Sequence, residues 1–159
     1  MYAIVAVDKN WAIGREGDQL CYIPADLKRF QKLTTGHAVL VGRKTLATFP
    51  GGRPLKNRRN IILSSRKDFA PEGGEVFPSL EEALAAAPED TFVIGGESVY
   101  RVTLDRCDTA YVTKSQKAAP ADSYFPNPDA DPAWQATEEE GPFTHEGLTY
   151  TYVTYRRIR

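Results

Sequence analysis

The sequence predicts an α/β fold: a single domain with a mostly parallel central β-sheet, flanking helices and an antiparallel C-terminal edge strand. Within 2–7, 37–42 and 60–65 the apolar residues are consecutive rather than alternating with polar ones, which is typical of strands buried on both faces of a parallel sheet. Helix-forming segments separate these runs. The segment 148–159 instead alternates aromatic or β-branched residues, as antiparallel strands do. The 159 residues show no linker or internal repeat and predict one domain over 1–159.

The first half of the chain alternates strands with helices and loops. Pro24 suits the first turn of a helix because its missing N–H has no intrahelical partner there. Gly36 is a suitable stop for that helix, and Pro50 closes the next one. The predicted order is strand 2–7, a long loop 8–19, a helix from Pro24 to near 34–36, strand 37–42, a short helix 43–50, a basic loop 51–59 and strand 60–65.

The second half continues this alternation and ends in strands. Ser79, with Glu82 three residues later, matches a capping box at the start of an alanine-rich helix. The predicted order is a brief strand within 73–79, helix 79–87, a strand, double glycine and helix over 91–105, strand 108–115, a proline-rich surface loop 118–132, and C-terminal segments 132–140 and 148–159.

Charge and composition exclude several classes of protein. The chain has 20 basic and 21 acidic residues and no concentrated basic patch of the kind that binds nucleic acid or a membrane surface. No apolar run approaches the ~20 residues that cross a bilayer, and the first ten residues do not resemble a secretory signal. Cys21, Cys107, His37 and His145 match no metal-site pattern. We expect a cytoplasmic protein with no metal, nucleic-acid or membrane partner.

Three strand ends carry residues suited to an anionic ligand, and ligands of open α/β sheets bind beyond the carboxyl ends of the strands. The segments are VLVGRKT (39–45), ILSSR (62–66) and VIGGESVY (93–100), which combine glycines, hydroxyls and basic side chains. Taken alone, each of these segments more often forms only a turn or a solvated part of the surface. Together they suggest an extended, multiply anionic ligand such as a phosphorylated dinucleotide, although the G-x-G-x-x-G fingerprint is absent.

Asp26 lies in the first turn of the predicted Pro24 helix, beside the apolar positions Leu27 and Phe30. Two interpretations are open. An acid in the first turn is favourable by about 0.3–1 kcal/mol because of the helix dipole, and this segment alone favours that explanation. The alternative is that Asp26 is a lone acid in an apolar pocket, tuned for proton chemistry.

A series of segments, in order along nearly the whole chain, has the pattern of one known enzyme family. The segments are AVDKNWAIG, IPADLKRF, VGRKT, GRPL with RRNIILSS, FVIGGESVY, YVT, DSYFP and YRR. In this series the chain resembles the bacterial-type dihydrofolate reductases. The resemblance implies an oxidoreductase that transfers hydride from NADPH to 7,8-dihydrofolate, giving 5,6,7,8-tetrahydrofolate for one-carbon metabolism. It also implies that antifolate inhibitors bind the protein.

The resemblance implies roles for individual positions. Asp26 corresponds to the single buried acid that hydrogen-bonds the pterin ring and assists protonation at N5 while hydride reaches C6; burial raises the pKa of such an acid, which suits proton transfer. Arg58 corresponds to the arginine that pairs with the α-carboxylate of the substrate. The implied substrate pocket comprises Ile4, Val5, Ala6, Leu27, Phe30, Phe49, Leu55, Arg58, Ile94 and Thr113. The implied cofactor contacts are Ala6, Ile13, Gly14, Gly42, Arg43, Lys44, Thr45, Leu63, Ser64, Ser65, Arg66, Ile94, Gly95, Gly96, Glu97, Ser98, Val99 and Tyr100, with Tyr100 near the nicotinamide.

The chain departs from the family pattern near the loop that covers the active site. Residues 8–23 resemble that loop, and Asp122 corresponds to the acid that holds it closed. Leu20-Cys21 stand where the family commonly has Pro-Trp, which leaves rate and antifolate sensitivity open. Glu97-Ser98 stand where many relatives have a smaller residue and then an arginine near the 2′-phosphate of the cofactor. NADPH is still predicted over NADH, with the attraction supplied by Arg43, Lys44, Ser65 and Arg66.

Two other functions stay open at this point. A pyrimidine reductase of riboflavin synthesis shares the fold and cofactor architecture, but its ribitol-phosphate substrate would not need Asp26 after Ile-Pro-Ala together with Arg58. A non-catalytic binding module could keep the fold while Leu20-Cys21 eroded activity, and cofactor binding without turnover would identify it.

Overall fold

The structure, a computed structural model, describes residues 1–16, 18–20 and 22–159, with the backbone alone at 18 and 19. Its strands are β1 (Tyr2–Val7), β2 (Ala12–Arg15), β3 (Asp18–Gln19), β4 (Ala38–Gly42), β5 (Arg59–Leu63), β6 (Gly74–Phe77), β7 (Phe92–Gly95), β8 (Thr109–Ser115), β9 (Ser123–Tyr124), β10 (Trp134–His145) and β11 (Leu148–Arg157). Its α-helices are α1 (Pro24–Thr34), α2 (Arg43–Leu46), α3 (Leu80–Ala86) and α4 (Glu97–Thr103), and short 3-10 turns lie at Pro50–Gly52, Leu104–Arg106 and Pro128–Ala130.

The main sheet has the strand order β10-β11-β8-β1-β7-β4-β5-β6. The six strands from β8 to β6 are parallel to their neighbours, whereas β11 is antiparallel to both β8 and β10. The predicted α/β class with a mostly parallel sheet is therefore confirmed. The antiparallel part has two strands, so the predicted edge strand, β11, lies inside and β10 forms the edge. A tight turn in which Glu146 and Gly147 have φ of 47° and 79° joins these two strands as a hairpin.

A second, three-stranded sheet has the order β3-β2-β9. Its strands come from two segments that the sequence predicted as loops, 8–19 and 118–132. These strands are short and contain polar residues and glycine, so local propensity does not indicate them. They form because distant segments meet: Ala12 pairs with Tyr124 and Gly14 with Ser123.

Two apolar clusters lie on opposite faces of the main sheet. One contains side chains from α1 and α2, such as Phe30 and Leu46, packed on Val39 and Val41 of β4. The other contains Leu40 of β4 with side chains from α3 and α4. This alternation is expected because successive side chains of a strand point to opposite faces. The helices are thus divided between the two faces, as in layered α/β domains.

The termini of α1 and α3 follow the sequence signals. α1 begins at Pro24, as predicted, but its N-cap Ile23 provides no side-chain hydrogen bond. Ile23 instead packs in a buried cluster with Tyr150 and Tyr152 of β11, which holds the start of the helix against that strand. The Oγ atom of Ser79 accepts a hydrogen bond from the backbone N–H of Glu82, which is the predicted cap of α3.

Asn60, a buried residue at the start of β5, holds the loop that precedes it. Its Oδ1 atom accepts from the N–H of Leu55 at 2.9 Å, and its Nδ2 atom donates to the carbonyls of Leu55 (2.8 Å) and Arg58 (3.0 Å). Asn60→Ala leaves these backbone groups without partners, at about 1–3 kcal/mol for each group that stays buried. We expect thermal unfolding to show a Tm about 5–10 °C lower. Asn10→Ala, in an exposed turn, is the control and should change stability by less than about 0.5 kcal/mol; equal effects of the two changes would contradict this role of Asn60.

Candidate active site

The early end of the pairing between β1 and β7 indicates a cleft in the main sheet. These strands pair at Tyr2 with Phe92 and Ala3 with Val93, and the pairing stops there, whereas β1 pairs with β8 as far as Val7. The carboxyl-terminal halves of β1 and β7 therefore separate. The chain passes from β1 toward β4 on one side and later returns to β8 on the other, so the strand order reverses here. Open α/β sheets bind ligands at such a position.

Asp26 is attached to this region through β8. Thr113 is the register partner of Ala6 near the carboxyl end of β1, and its Oγ1 atom donates a hydrogen bond to Oδ1 of Asp26 at 2.6 Å. The first turn of α1 therefore holds the carboxylate beside the carboxyl end of β1, at the side of the cleft.

The environment of Asp26 favours its protonated form. Burial raises the pKa of this carboxyl above its usual value, and that effect exceeds two opposing ones: the hydrogen bond from Thr113 and the positive charge of Arg29. A carboxyl that served only to balance the helix dipole would be exposed and ionised. The geometry thus supports the second interpretation of Asp26, an acid in an apolar pocket.

Removing the Thr113 hydroxyl tests this balance. Thr113→Val keeps the shape of the side chain but removes the hydrogen bond that stabilises the carboxylate. We therefore expect the pKa of Asp26 to rise further, measured as the midpoint of its carboxyl ¹³C shift in an NMR pH titration. Thr109→Val is the matched control, since Thr109 lies on the same strand and donates to Asp108 instead. A Thr113→Val midpoint at or below the wild-type value would show that this hydrogen bond does not stabilise the carboxylate.

The structure brings half of the predicted substrate residues into one apolar cluster. Ile4, Phe30, Phe49, Leu55 and Ile94 all lie in the cluster on the α1 face of the sheet. Val5 does not, because it is next to Ile4 on a strand and its side chain packs on the opposite face. Leu27 is 44% exposed and lies outside both clusters.

Arg58 lies near the other end of α1 from Asp26. Its Nη1 atom donates to Oγ1 of Thr34 at 3.2 Å, and its Nε atom donates to the carbonyl of Lys56 at 2.8 Å. Its Nη2 atom has no protein partner within the described residues. Thr34 is the eighth residue after Asp26 on α1, about 12 Å along the helix axis. An acid and an arginine thus stand at opposite ends of one helix, with apolar side chains between them.

The three strand-end segments predicted to bind a cofactor meet at the carboxyl edge of the sheet. Gly42, at the end of β4, is the register partner of Leu63 in β5, and the preceding Val41 pairs with Gly95 of β7. A Cβ atom at Gly96 would lie 2.7 Å from Oγ1 of Thr45. The backbone at Gly96 therefore lies so close to the Thr45 side chain that a Cβ atom at position 96 would force one of the two segments to shift.

The other predicted cofactor residues surround this edge. Tyr100 is buried, and its hydroxyl donates to the carbonyl of Ile4 at 2.7 Å, which links α4 to β1 across the cleft. Burial raises the pKa of Tyr100 far above its usual value, so it remains a neutral donor. Ile13, Leu63 and Val99 pack in the cluster on the α4 face. The polar positions range from partly buried Arg43 and buried Ser64 to the exposed Lys44, Ser65, Arg66 and Ser98.

Glu97 has a different environment from that of a phosphate-binding residue. Its Oε1 atom accepts a hydrogen bond from the N–H of Tyr124 in β9 at 2.7 Å and lies 3.7 Å from Nη2 of Arg101. The carboxylate thus joins the start of α4 to the small sheet. This contact gives the unusual Glu97 a structural role and turns its charge toward β9.

The predicted covering loop is joined to the 118–132 segment through the small sheet. The Oδ2 atom of Asp122 accepts from the N–H of Glu16 at 2.9 Å, and the N–H of Asp122 donates to the carbonyl of Gly14 at 3.1 Å. The Nζ atom of Lys117 donates to the carbonyl of Leu20 at 2.8 Å. The Asp122 contact predicted from the resemblance is therefore present in the structure. Cys21, the more informative of the two departures in this loop, lies outside the described residues.

Sequence reasoning missed three residues that organise the site. Asn60 positions the loop that carries Leu55 and Arg58, and a polar residue at the start of a buried strand was the available signal. Arg29 and Tyr152 lie near Asp26. Arg29 is one helical turn after Asp26, so its spacing could have indicated that the two side chains share a face; no local signal pointed to Tyr152.

Comparisons with known proteins agree with this geometry. Residues 1–157 match the family model described as dihydrofolate reductase. The dihydrofolate reductase of Mycobacterium leprae is 39% identical over 164 residues, covering 97% of this chain and 96% of the relative. That of Bacillus subtilis is 36% identical over 156 residues, covering 92% and 91%. A solved dihydrofolate reductase from Enterococcus faecalis, complexed with NADP(H) and RAB-propyl, superimposes with a TM-score of 0.88 at 34% identity and covers 99% of this chain and 96% of its own.

The α/β fold together with these matches places the chain among the oxidoreductases. Within that class, the chain belongs to the dihydrofolate reductase family. The family and the enzyme class that the sequence predicted are confirmed.

Proposed function

We propose that this chain reduces 7,8-dihydrofolate to 5,6,7,8-tetrahydrofolate with NADPH, and that Asp26 assists protonation at N5 of the substrate. The single observation that carries the proposal is the partly buried Asp26 carboxyl at the cleft, with its pKa raised by burial and its Oδ1 atom hydrogen-bonded to Thr113. Its Oδ2 atom accepts no hydrogen bond within the described residues and is available to the pterin ring.

The cofactor prediction, NADPH, is supported by the family and by a relative solved with NADP(H). The residues present fit such a group: Gly42 and Gly95-Gly96 lie at neighbouring strand ends without side chains of their own, and Arg43, Lys44 and Arg66 supply positive charge. Bound NADPH supplies the hydride that adds to C6 of the substrate. The Oε1 atom of Glu97 accepts a hydrogen bond from the N–H of Tyr124 in β9, so this carboxylate already has a protein partner.

The residues of this chain supply the proton and the orientation. In its protonated form, Asp26 can donate toward N5, directly or through one water, as the C6–N5 double bond becomes a single bond. The hydrogen bond from Thr113 fixes the Oδ1 atom of Asp26, and this also fixes the direction in which Oδ2 points. The apolar side chains of Ile4, Phe30 and Ile94 limit water around the ring, which keeps the pKa of the acid raised.

Arg58 and the apolar residues near it would hold the other end of the substrate. We assign Arg58 to the α-carboxylate because its Nη2 atom is unpartnered within the described residues and its Nε and Nη1 bonds fix the plane of the guanidinium. Phe49 and Leu55 lie in the same apolar cluster as Phe30 and would contact the aromatic linker. The distance along α1 between the two ends suits an extended ligand of this kind.

The direct test is the loss of nicotinamide absorbance when the purified protein is mixed with NADPH and 7,8-dihydrofolate, with NADH in parallel. Oxidation of NADPH that requires dihydrofolate is the expected result, with a lower kcat/KM for NADH. Turnover of the ribosylamino-pyrimidine substrate of riboflavin synthesis instead would assign the rival reductase. Cofactor binding without turnover of either substrate would identify a non-catalytic module and contradict the proposal.

We also propose that the protein acts as a monomer in the cytoplasm on small molecules alone. The near balance of 20 basic and 21 acidic residues argues against a nucleic-acid or membrane-surface partner. Among the described residues, no helix has the length and apolar character to span a membrane. Light scattering of the purified protein would test the monomer: a mass well above 17.7 kDa would contradict it.

A further inference from the structure

Arg29 has an unusual environment for a cation on a helix surface. Its Cζ atom lies 4.2 Å from the centroid of the Tyr152 ring and 5.9 Å from that of Tyr111. Within the described residues it forms no salt bridge. A guanidinium stacked on an aromatic face is attracted by the ring and gives up fewer hydrogen bonds to water than a lysine would. The two tyrosines, from β11 and β8, thus hold the Arg29 charge at one place.

The charge of Arg29 lies beside Asp26. Arg29 follows Asp26 by three residues on α1, so the two side chains lie on one face of the helix. The strands beneath α1 place the partners of these two side chains next to each other as well. Tyr152 of β11 is the register partner of Thr113 of β8, the residue that donates to Asp26. Carboxyl, hydroxyl, ring and guanidinium therefore form one cluster, which we call the Asp26–Arg29 cluster.

We propose that Arg29, stacked on Tyr152, is a positioning residue that holds a positive charge near Asp26 without pairing with it, and thereby sets the balance between the protonated and ionised forms of this acid. The inference rests on the proposed role of Asp26 and deepens it. An arginine that paired directly with Asp26 would occupy the oxygen that must face the substrate. A charge held by an aromatic ring acts through space and leaves Oδ2 accessible.

The direction of the effect follows from the contacts of Asp26. Burial raises its pKa, while the Arg29 charge and the Thr113 hydroxyl lower it. Among the described residues, the titratable or polar groups that interact with Asp26 are Arg29 from α1, Thr113 from β8 and Tyr152 from β11; burial and the Asp26 charge raise the pKa of Tyr152 to about 12. Since Tyr152 is neutral near pH 7, Arg29 is the group in this set whose charge acts on Asp26 there.

The test measures the titration of Asp26 itself, by the ¹³C shift of its carboxyl in the free protein, with the signal assigned by its loss in Asp26→Asn. Arg29→Gln should move the midpoint to higher pH, and Arg29→Lys should restore part of that change because it keeps the charge but not the planar stack. Lys28→Gln is the matched control: it removes a charge from the adjacent, exposed position of α1 and should leave the midpoint unchanged.

A double-mutant cycle tests the role of the ring. Tyr152→Leu removes the surface on which Arg29 stacks. The change that Tyr152→Leu causes in the Asp26 midpoint should therefore be smaller in the Arg29→Gln background than in the wild type. Equal effects of Tyr152→Leu in both backgrounds would overturn the stacking part of the proposal. Far-UV circular dichroism and thermal unfolding establish that each variant is folded.

The activity profile separates this inference from the proposed function. Arg29→Gln should shift the loss of dihydrofolate reduction at alkaline pH to higher pH, in step with the NMR midpoint. An NMR midpoint that shifts while the activity profile stays in place would support Arg29 as proposed and contradict the role of Asp26 in protonation. An unshifted NMR midpoint in Arg29→Gln would overturn the inference about Arg29, whatever the activity.

Discussion

Asp26→Asn is expected to lower the turnover of dihydrofolate by about a hundredfold or more, since a positioned acid typically contributes about 10²–10⁴-fold. The loss should be greatest above neutral pH, where protons from solvent are scarce and the amide cannot replace the carboxyl. Asparagine keeps the Oδ1 atom that accepts from Thr113, so the fold around the site should be retained. The measurement is kcat as a function of pH under saturating NADPH and dihydrofolate.

Stability gives an independent check on Asp26→Asn. The pKa of Asp26 is raised in the folded protein, so the folded state binds a proton more readily than the unfolded state. Stability from this group is present below the unfolded pKa and is lost as pH rises through the folded pKa. At neutral pH the variant should therefore unfold at the same temperature as the wild type or higher. Asp105→Asn, at an exposed position, is the control; full activity of Asp26→Asn at neutral pH would refute the assigned role.

Arg58→Leu is expected to raise the KM for dihydrofolate by about ten- to a hundredfold with little change in kcat. A hydrogen bond to a charged group contributes about 1.5–3 kcal/mol, and 1.4 kcal/mol corresponds to a factor of ten. Arg58 is far from the reacting atoms, so its loss should weaken binding of the substrate equally in the ground state and in the transition state. Steady-state kinetics with dihydrofolate at saturating NADPH measure the effect.

Two controls make the Arg58 test more specific: a change of the neighbouring Arg59 and a substrate that lacks the glutamate. Arg59→Leu is the matched control, because Arg59 is held by Glu75 at 2.6 Å and by the carbonyl of Ala86 at 3.0 Å, outside the pocket. Dihydropteroate, which lacks the glutamate, should be reduced equally well by the wild type and Arg58→Leu. If Arg58→Leu impaired dihydropteroate and dihydrofolate alike, the arginine would have a structural role instead.

Most of the main sheet was predictable because its strands have strong local signals. β1, β4 and β5 are continuous apolar runs, and α1 and α3 begin at Pro24 and after Ser79, as their terminal residues indicate. The segments 39–45, 62–66 and 93–100 were placed at strand ends, where parallel strands bring them together. Periodicity and capping depend on residues a few positions apart, so the sequence contains these signals directly.

The small sheet and the environment of Asp26 were decided by tertiary structure. β2 pairs with β9, more than a hundred residues later, and Glu97 of α4 accepts a hydrogen bond from Tyr124 of β9. The raised pKa of Asp26 requires the burial that packing provides, and the position of Arg29 requires the ring of Tyr152. The sequence by itself determined which residues are apolar, which can begin a helix and which can ionise. Only the tertiary structure decided which of them meet, because burial and through-space charge depend on distances between segments that are remote along the chain.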